Sequence, residues 1–536
     1  MAPDPSPRSK WPYLAGIVVG LLAGLILFVF LRTRNIDDRV RAWVIGELQQ
    51  RFQGDVELET LHVNILPRMG VDGQGLSIRY HNRRDLPPMF HVEKFSFNLG
   101  MLGVFRAPRR IAGIYVENMT ITIPPPGESK QHSPAGSQNR NLPAVIVDEI
   151  VCTDTDLVIV PKKEDKDPLD FDIHDLILKS VGPDQPFDFH GNLTNAKPKG
   201  EIATRGTFGP WDADEPGDTP VTGNYQFTDA DLGPLPGIAG TLSSTGNYKG
   251  QLNEIEVAGK TDTPNFSLDP VGHSVPLHTE FSATVNGIDG DTYLHPVRAT
   301  LGRSLLVAEG SVIRIHAPDQ QGHIIKLNVS APDARIQDIL SLAMNSDKPF
   351  LTGPAKIKAK LLLPPGKQKV LEKMILDGQV GVEDAQWSSP EIRDKLAALS
   401  RHAQGEPANE EAGSSVSDLH GDFRLEKGVV AFRKLSFGVP GAQLNLEGKY
   451  DIRESKLDFN GFVRLQAKLS QTVSGKKSFF LKAIDPLFSK NGAGTQLPIT
   501  ITGTRQAPTL GVSVFHKMIK KQLGGSDKER KPGEKR

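Results

Sequence analysis

The sequence has few of the features that mark disulfide-linked, metal-binding or nucleic-acid-binding proteins. Cys152 is the only cysteine among 536 residues, so neither an intramolecular disulfide nor a cysteine metal site can form. The 63 Lys and Arg residues are balanced by 63 Asp and Glu residues, whereas nucleic-acid binders carry a basic excess. The composition therefore excludes a disulfide scaffold and predicts no nucleic-acid partner.

Cys152 itself is interpreted as a small apolar residue in a strand over 145–160, not as a nucleophile. A chain so poor in cysteine suits an oxidising compartment. Many cytosolic proteins share this scarcity, so the location has to be inferred from other features of the chain.

Catalytic motifs are also lacking. No HExxH, CxxC, GxSxG or GxGxxG element occurs in the setting that its chemistry requires. The triplet Gly259-Lys260-Thr261 resembles the end of a phosphate-binding loop, but Glu254 occupies the position of that motif's first glycine. The histidine pairs His273 with His278 and His316 with His323 are interpreted as surface residues. The sequence predicts neither an enzyme nor a bound cofactor.

Asp and Gly cluster between Asn286 and Asp291, where carboxylates are close enough in sequence to suggest calcium binding. Their spacing does not complete a calcium loop. Asn, Asp and Gly tolerate positive φ, so the cluster predicts a turn between two strands and no metal site.

The sequence has one long hydrophobic run, from Tyr13 to Leu31. A helix of that length spans roughly 28 Å and crosses a bilayer. No small-x-small cleavage site follows, so the run predicts a transmembrane helix at 13–31 instead of a cleaved signal peptide. Residues 1–12 are then a short cytoplasmic tail, and the long body is exported despite the arginines that follow the helix.

An amphipathic helix is predicted after the anchor, within residues 32–53. The side chains expected on its apolar face are Ile36, Val40, Trp43, Leu48 and Phe52. Two roles stay open from the pattern alone. Its apolar face is compatible with a position on the lipid surface and equally with packing against the first strands.

The rest of the chain predicts many short strands and turns, because 52 glycines and 40 prolines accompany runs in which apolar residues alternate. Within 114–123 the alternation changes parity near Asn118, which predicts a bulge. Short helices are predicted at 333–345, 389–404 and around 479–490. The predicted segments are a first β segment at 54–123, a disordered linker at 124–141, a middle β segment at 142–332, a C-terminal β region with short helices at 333–515 and a basic disordered tail at 516–536.

The clearest alternation predicts an antiparallel hairpin near the C-terminus with a turn at 453–456. The same design recurs at Phe423 and Leu425, before the turn residues Glu426-Lys427-Gly428. One face of the hairpin is apolar, and such a face must be buried by curling of the sheet, by a second sheet or by an apolar ligand. The residues proposed to line this face are Leu444, Leu446, Leu457, Phe459 and Val463.

The order of these features resembles the AsmA family of Gram-negative envelopes. The residues that carry the resemblance lie at 421–465 (GDFRLEKGVV through NGFVRL), 480–488 (FLKAIDPLF) and 492–511 (GAGTQLPITITGTRQAPTLG). The most specific part is Leu497-Pro498-Ile499 followed by Thr502-Gly503-Thr504. The resemblance covers the first hundred residues and the last 180. The middle of the chain is similar only in the general pattern of its residues.

The resemblance implies a single-pass inner-membrane protein with a periplasmic body, related to bridge-like lipid transfer proteins. It implies an elongated, twisted, mostly antiparallel β-sheet, curled into an apolar groove, with a few short amphipathic helices. The ligand would be phospholipid moving between the inner and outer membranes, and an outer-membrane or other envelope protein would be a partner. It names no functional residue.

Three hypotheses follow. The first is a membrane-tethered conduit or scaffold that binds phospholipid on apolar strand faces. The second is a structural adaptor for outer-membrane protein assembly, whose sheet faces are packed against themselves and whose edge strand meets a partner. The third, an anchored hydrolase, requires a polar cleft with perturbed carboxylates or histidines, which nothing in the sequence predicts.

Overall fold

The computed structural model describes only part of the chain. The described residues are 36–52, 54–64, 70–79, 84, 86–98, 109–125, 145–161, 166, 168–182, 185–196, 198–212, 215–268, 273–317, 320–344, 349–404, 417–465, 495–505 and 507–512. The predicted anchor, the linker at 126–141, the helix around 479–490 and the basic tail lie outside these residues. Among the described residues, no helix is long and apolar enough to span a bilayer.

Four α-helices and 26 strands make up the described chain. The helices are α1 (Ile36–Phe52), α2 (Ile336–Ala343), α3 (Val370–Lys373) and α4 (Pro390–Gln404). The strands are β1 (Val56–Asn64), β2 (Gly70–Ile78), β3 (Phe90–Asn98), β4 (Arg109–Ile111), β5 (Ile114–Ile123), β6 (Val145–Ile159), β7 (Leu169–Val181), β8 (Phe187–Ala196), β9 (Lys199–Phe208), β10 (Pro220–Asp231), β11 (Thr241–Gln251), β12 (Glu254–Phe266), β13 (Val275–Val285), β14 (Thr292–Leu301), β15 (Ser304–Ala317), β16 (Gln320–Arg335), β17 (Leu351–Thr352), β18 (Pro354–Leu363), β19 (Ile375–Val382), β20 (Gln386–Trp387), β21 (Ser417–Glu426), β22 (Val429–Val439), β23 (Ala442–Asp451), β24 (Lys456–Leu465), β25 (Thr495–Thr504) and β26 (Pro508–Val512). The prediction of a mainly β chain with few helices is confirmed for this part of the chain.

The chain divides into two compact units. The first contains the described residues within 1–194, 202–224 and 249–253, and the second contains those within 195–201, 225–248 and 254–536. In each unit consecutive strands pair along a ladder, and right-handed strand twist gives such long ladders a curl.

The first unit is a ladder in the order β1, β2, β3, β5, β6, β7, β8, with β4 also beside β6. The pairs are antiparallel except that β6 runs parallel to β4 and β5. The ladder therefore continues across the sequence between β5 and β6, where a linker was predicted. Asn118, at the predicted bulge, has a φ of 52° and adopts the left-handed conformation.

Helix α1 lies on the first strand of this unit. The Asp37 carboxylate accepts a hydrogen bond from the Val63 backbone N–H at 2.9 Å, and Arg41 Nε donates to the Leu58 carbonyl at 2.9 Å. The predicted apolar face is wrong in one respect, because Trp43 is 50% exposed. The side chains that meet the core are Val40, Val44 and Ile45.

The second unit has its own ladder, which is antiparallel throughout from β12 to β26. Its strand order is β12, β13, β14, β15, β16, β18, β19, β21, β22, β23, β24, β25, β26, while β17 and β20 form a separate small pair. The hairpin predicted from 444 to 465 is confirmed as β23 and β24 with the turn at 452–455. Two predicted helices are confirmed as α2 and α4, and α3 was not predicted.

The predicted turns also form. The cluster from Asn286 to Asp291 connects β13 and β14, and the Asn286 side-chain oxygen accepts hydrogen bonds from the backbone of Ile288 and Asp289. Lys427 and Gly428, with φ of 53° and 77°, join β21 to β22. These are the positive φ angles of a tight turn between antiparallel strands.

Candidate functional site

The five side chains proposed for the apolar face do share one face of the β23–β24 hairpin. Leu444 pairs with Val463, Leu446 with Gly461, and Leu457 with Tyr450 across the two strands. Phe459 pairs with Gly448. Directly paired residues point to the same side of a sheet, so all five side chains point to one side.

The same face continues far beyond the hairpin. Antiparallel pairing aligns each position on this face with one residue of the next strand. Across the second unit, the aligned residues form rows that run perpendicular to the strands. What we call the first row contains Val257, Ala283, Leu294, Gly310, Leu327, Leu361, Leu376, Leu425, Val430, Tyr450 and Leu457. This row has no charged member, and from β12 to β24 it extends about 48 Å at roughly 4.8 Å per strand spacing.

Two more rows lie beside the first, and each is apolar. The second row contains Ala308, Val329, Ala359, Gly378, Phe423, Phe432, Gly448, Phe459 and Ile501. The third row contains Ala331, Ile357, Val380, Gly421, Leu435, Leu446, Gly461 and Ile499. Together the three rows form the apolar face of the second unit.

Glycines bring large side chains close to the backbone within these rows. At Gly421 an added Cβ would lie 3.0 Å from the Phe432 ring and 3.4 Å from Leu435. At Gly448 the nearest atoms are the backbone of Asp458 and Phe459, at 2.2 and 2.6 Å. The glycines therefore allow the strands to approach and bend where a side chain would keep them apart.

A fourth row, next to the third, is fully buried. Its members are Ala355, Val382, Leu419, Phe437, Leu444, Val463 and Leu497, which are 1 to 9% exposed. Helices α2 and α4 and the ring of Trp387 lie over it, and their side chains Ile336, Leu340, Leu396 and Leu399 join the same cluster. Leu444 and Val463 are therefore core residues under a helical cap.

Specific contacts hold this cap in place. Ser304, 0% exposed, donates its hydroxyl to Asp338 of α2 at 2.7 Å and accepts the Arg335 backbone N–H at 2.9 Å. Ser400 of α4 donates to the Pro440 carbonyl at 2.8 Å. The buried hydroxyls of Ser304 and Ser400 therefore link α2 and α4 to the ends of strands in the sheet.

The first and second rows are more open than the fourth, whereas four of the eight members of the third row are buried. Most members of the first row are only half-buried, and so are Phe423, Phe432 and Val380. Within the described part of the second unit, α2 and α4 pack toward the fourth row. Helix α3 covers the end of the first row, where Leu371 packs beside Leu425 and Ile452. Of the proposed residues, Leu457 is half-buried, and Leu446 and Phe459 are 5% and 6% exposed.

The opposite face of the ladder is charged. Lys260 Nζ lies 2.7 Å from Glu280 Oε1, and Arg433 Nη2 lies 2.7 Å from Asp377 Oδ1. The hydrogen bond with Lys260 lowers the pKa of Glu280, and the same bond raises the pKa of Lys260. Phe462, 50% exposed, is a large hydrophobic side chain on this charged face. The sheet therefore separates an apolar side from a solvated side.

Catalytic or metal-binding groups do not gather on the apolar face. Among the described residues, no group of three His, Cys, Asp or Glu side chains could hold a metal ion. The predicted strand position of Cys152 is confirmed in β6, where it is 1% exposed and burial raises the pKa of its thiol to about 12. Gly259-Lys260-Thr261 lies within β12.

The members of the apolar face in β12 to β19 were not among the proposed residues. Their signal is present in the sequence as alternation, in Ile255 and Val257 of β12 and in Ile357, Ala359 and Leu361 of β18. Alternation assigns a residue to a face but does not tell which strand lies beside it.

The chain matches no protein-family model, no curated protein and no solved structure.

Proposed function

We propose that this chain is a membrane-anchored lipid-binding protein whose second unit holds the acyl chains of phospholipids along its apolar face. The observation that carries the proposal is the alignment of half-buried aliphatic and aromatic side chains into the first and second rows. A hydrocarbon chain lying across the strands would remove these side chains from water at about 25 cal/mol per Å² of apolar area. No covalent step is required of any residue.

The setting of the proposal comes from the sequence. The hydrophobic run at 13–31 would place the body next to a membrane, and the resemblance to the AsmA family favours the inner membrane with the body in the periplasm. In that setting the rows would bind or conduct phospholipid toward the outer membrane and support its homeostasis.

A second function, the structural adaptor, is favoured by one observation. The fourth row is sealed by the protein's own helices, as expected of a sheet face that packs against itself. In the described residues β26 pairs with β25 alone, so its other edge could accept a strand from an envelope protein. Lipid binding is preferred because most members of the first and second rows are only half-buried.

The test compares two aromatic residues that point to opposite sides of the sheet, Phe432 of β22 and Phe462 of β24. Phe432→Asp places a carboxylate in the second row, and Phe462→Asp makes the same change on the charged face. We expect phospholipid that co-purifies with the full-length protein, measured by mass spectrometry, to fall about tenfold for Phe432→Asp, since an unpaired buried carboxylate costs more than about 1.4 kcal/mol. Phe462→Asp should retain the wild-type amount.

Circular dichroism checks that both variants are folded. Should Phe432→Asp unfold, Leu361→Gln gives a milder change in the first row and carries the same expectation. Equal amounts of lipid in wild type and in folded row variants would contradict lipid binding and favour the adaptor.

A further inference from the structure

A charged pocket lies at the end of the first row. The pocket has a volume of about 480 Å³, and its walls come from α3, the loop before α3 and the turns of the β21–β22 and β23–β24 hairpins. Next to it, Leu371, Leu425 and Ile452 form an apolar cluster that includes the first-row members Leu376, Val430 and Tyr450. By the register, Ile375 and Glu426 of the pocket point to the charged side of the sheet, opposite to Leu376 and Leu425, so the pocket lies around the strand ends from the apolar face.

The pocket contains charges of both signs. Its positive groups are Lys373, Lys427 and Arg453, and its negative groups are Glu372 and Glu426. The two carboxylates are only partly engaged, because Glu372 lies 3.9 Å from Arg453 Nη1 and Glu426 uses Oε2 to accept from Arg424 Nε at 2.9 Å.

Two of the cations have no carboxylate partner among the residues that the structure describes. Lys373 Nζ donates to the Gly366 carbonyl at 2.8 Å, and burial lowers the pKa of this lysine. Among the described residues, no carboxylate forms an ion pair with Lys373 or with Lys427, which occupies the exposed turn. A partly desolvated ammonium next to a second cation favours an anionic ligand.

We propose that this pocket binds the headgroup of a zwitterionic phospholipid that carries a primary ammonium. The phosphate would lie against Lys373, Lys427 and Arg453, and the ammonium would donate to Glu372 and Glu426. The acyl chains would turn around the strand ends to reach Leu376 and Val430 on the apolar face. The inference rests on the proposed function and adds the headgroup class to it. A purely anionic headgroup fits less well because it would face both carboxylates.

The test uses soluble headgroups, which separate this pocket from acyl-chain binding. Full-length wild-type protein in detergent is titrated calorimetrically with glycerophosphoethanolamine, with glycerol phosphate and with inorganic phosphate. We expect glycerophosphoethanolamine to bind most tightly. The double variant Lys373→Gln, Lys427→Asn should weaken that binding at least about tenfold, since charge-assisted hydrogen bonds to phosphate are lost. Asn is chosen at 427 because it tolerates the positive φ.

Two further variants make the result specific. Lys358→Gln removes a lysine from the exposed side of β18 and should leave binding unchanged. The double variant Glu372→Gln, Glu426→Gln should weaken glycerophosphoethanolamine binding but strengthen glycerol phosphate binding. Opposite changes for two ligands cannot result from a loss of folded protein.

Each contrary result has a distinct meaning. Equal affinity for inorganic phosphate and glycerophosphoethanolamine would overturn the headgroup assignment and leave a phosphate site. No glycerophosphoethanolamine binding, with lipid still co-purifying and lost in Phe432→Asp, would overturn the pocket assignment alone. Binding of the soluble headgroup by a protein that co-purifies no phospholipid would contradict the proposed function and, with it, the assignment to lipid.

Discussion

Phe432 and Phe462 illustrate how position decides the role of the same residue type. Phe432 lies on the apolar face, with its ring 6.3 Å from that of Phe423 and 6.0 Å from that of Phe459. Phe462 points to the other side of β24, where it is 50% exposed and pairs with Asn445 of β23 and Pro498 of β25. At the scale of single residues, the side of the strand determines whether an aromatic ring belongs to the apolar face.

Cys152 gives a prediction at the same scale. The thiol is 1% exposed in β6, and burial raises its pKa from 9.0 to about 12. The folded-state pKa lies above the unfolded one, so at pH 8 the folded protein holds a neutral, inaccessible thiol. We expect Cys152 not to react with Ellman's reagent at pH 8 in buffer. In about 8 M urea, which unfolds most domains, the thiol should react completely. Rapid labelling in buffer would contradict the burial of β6.

At the scale of elements, two glycines with opposite surroundings can be compared. A Cβ added to Gly461 of β24 would lie 2.0 Å from the Asn445 carbonyl oxygen of β23, whereas Gly46 in α1 has no neighbouring atom within 4 Å. The hairpin therefore depends on close approach of two backbones, and the helix does not depend on its glycine.

Alanine substitutions at these two positions should act in opposite directions. Gly461→Ala should destabilise the protein by about 2 kcal/mol or more, because the β23–β24 ladder has to shift. Gly46→Ala should stabilise it by about 0.5–1 kcal/mol, because alanine is the better helix former. Urea unfolding followed by circular dichroism checks both, and equal shifts in one direction would show that the contact at Gly461 does not restrain the hairpin.

Local elements could be predicted from sequence because their signals are local. The alternation in β23 and β24, the turn at Lys427-Gly428 and the helical spacing of α2 and α4 all lie within short windows. The face of α1 was assigned incorrectly at Trp43, because helical spacing alone does not reveal which residues meet β1. The parallel pairing of β5 with β6 was not predicted either, since strand partners distant in sequence leave no local signal.

At the scale of the whole molecule, the same limit applies to the candidate site. Alternation identified five residues on one side of the β23–β24 hairpin, but the rows exist only through the register of many antiparallel pairs. Burial then separates the rows, because α2 and α4 seal the fourth row and leave Leu444 and Val463 in the core. The position of the cap formed by α2 and α4 depends on contacts such as the hydrogen bond from Ser400 to the Pro440 carbonyl, which links residues 40 positions apart.

The central claim is that acyl chains contact the first and second rows in the cell. Site-specific photo-crosslinking tests it most directly, with a benzophenone amino acid placed in the full-length protein at Leu294, Leu361 or Phe432, and at Lys358 or Phe462 as controls on the charged face. We predict phospholipid adducts, identified by mass spectrometry after illumination of intact cells, at the three row positions and none at the two controls. Adducts to protein alone at all five positions, or lipid adducts without preference for the rows, would contradict the claim.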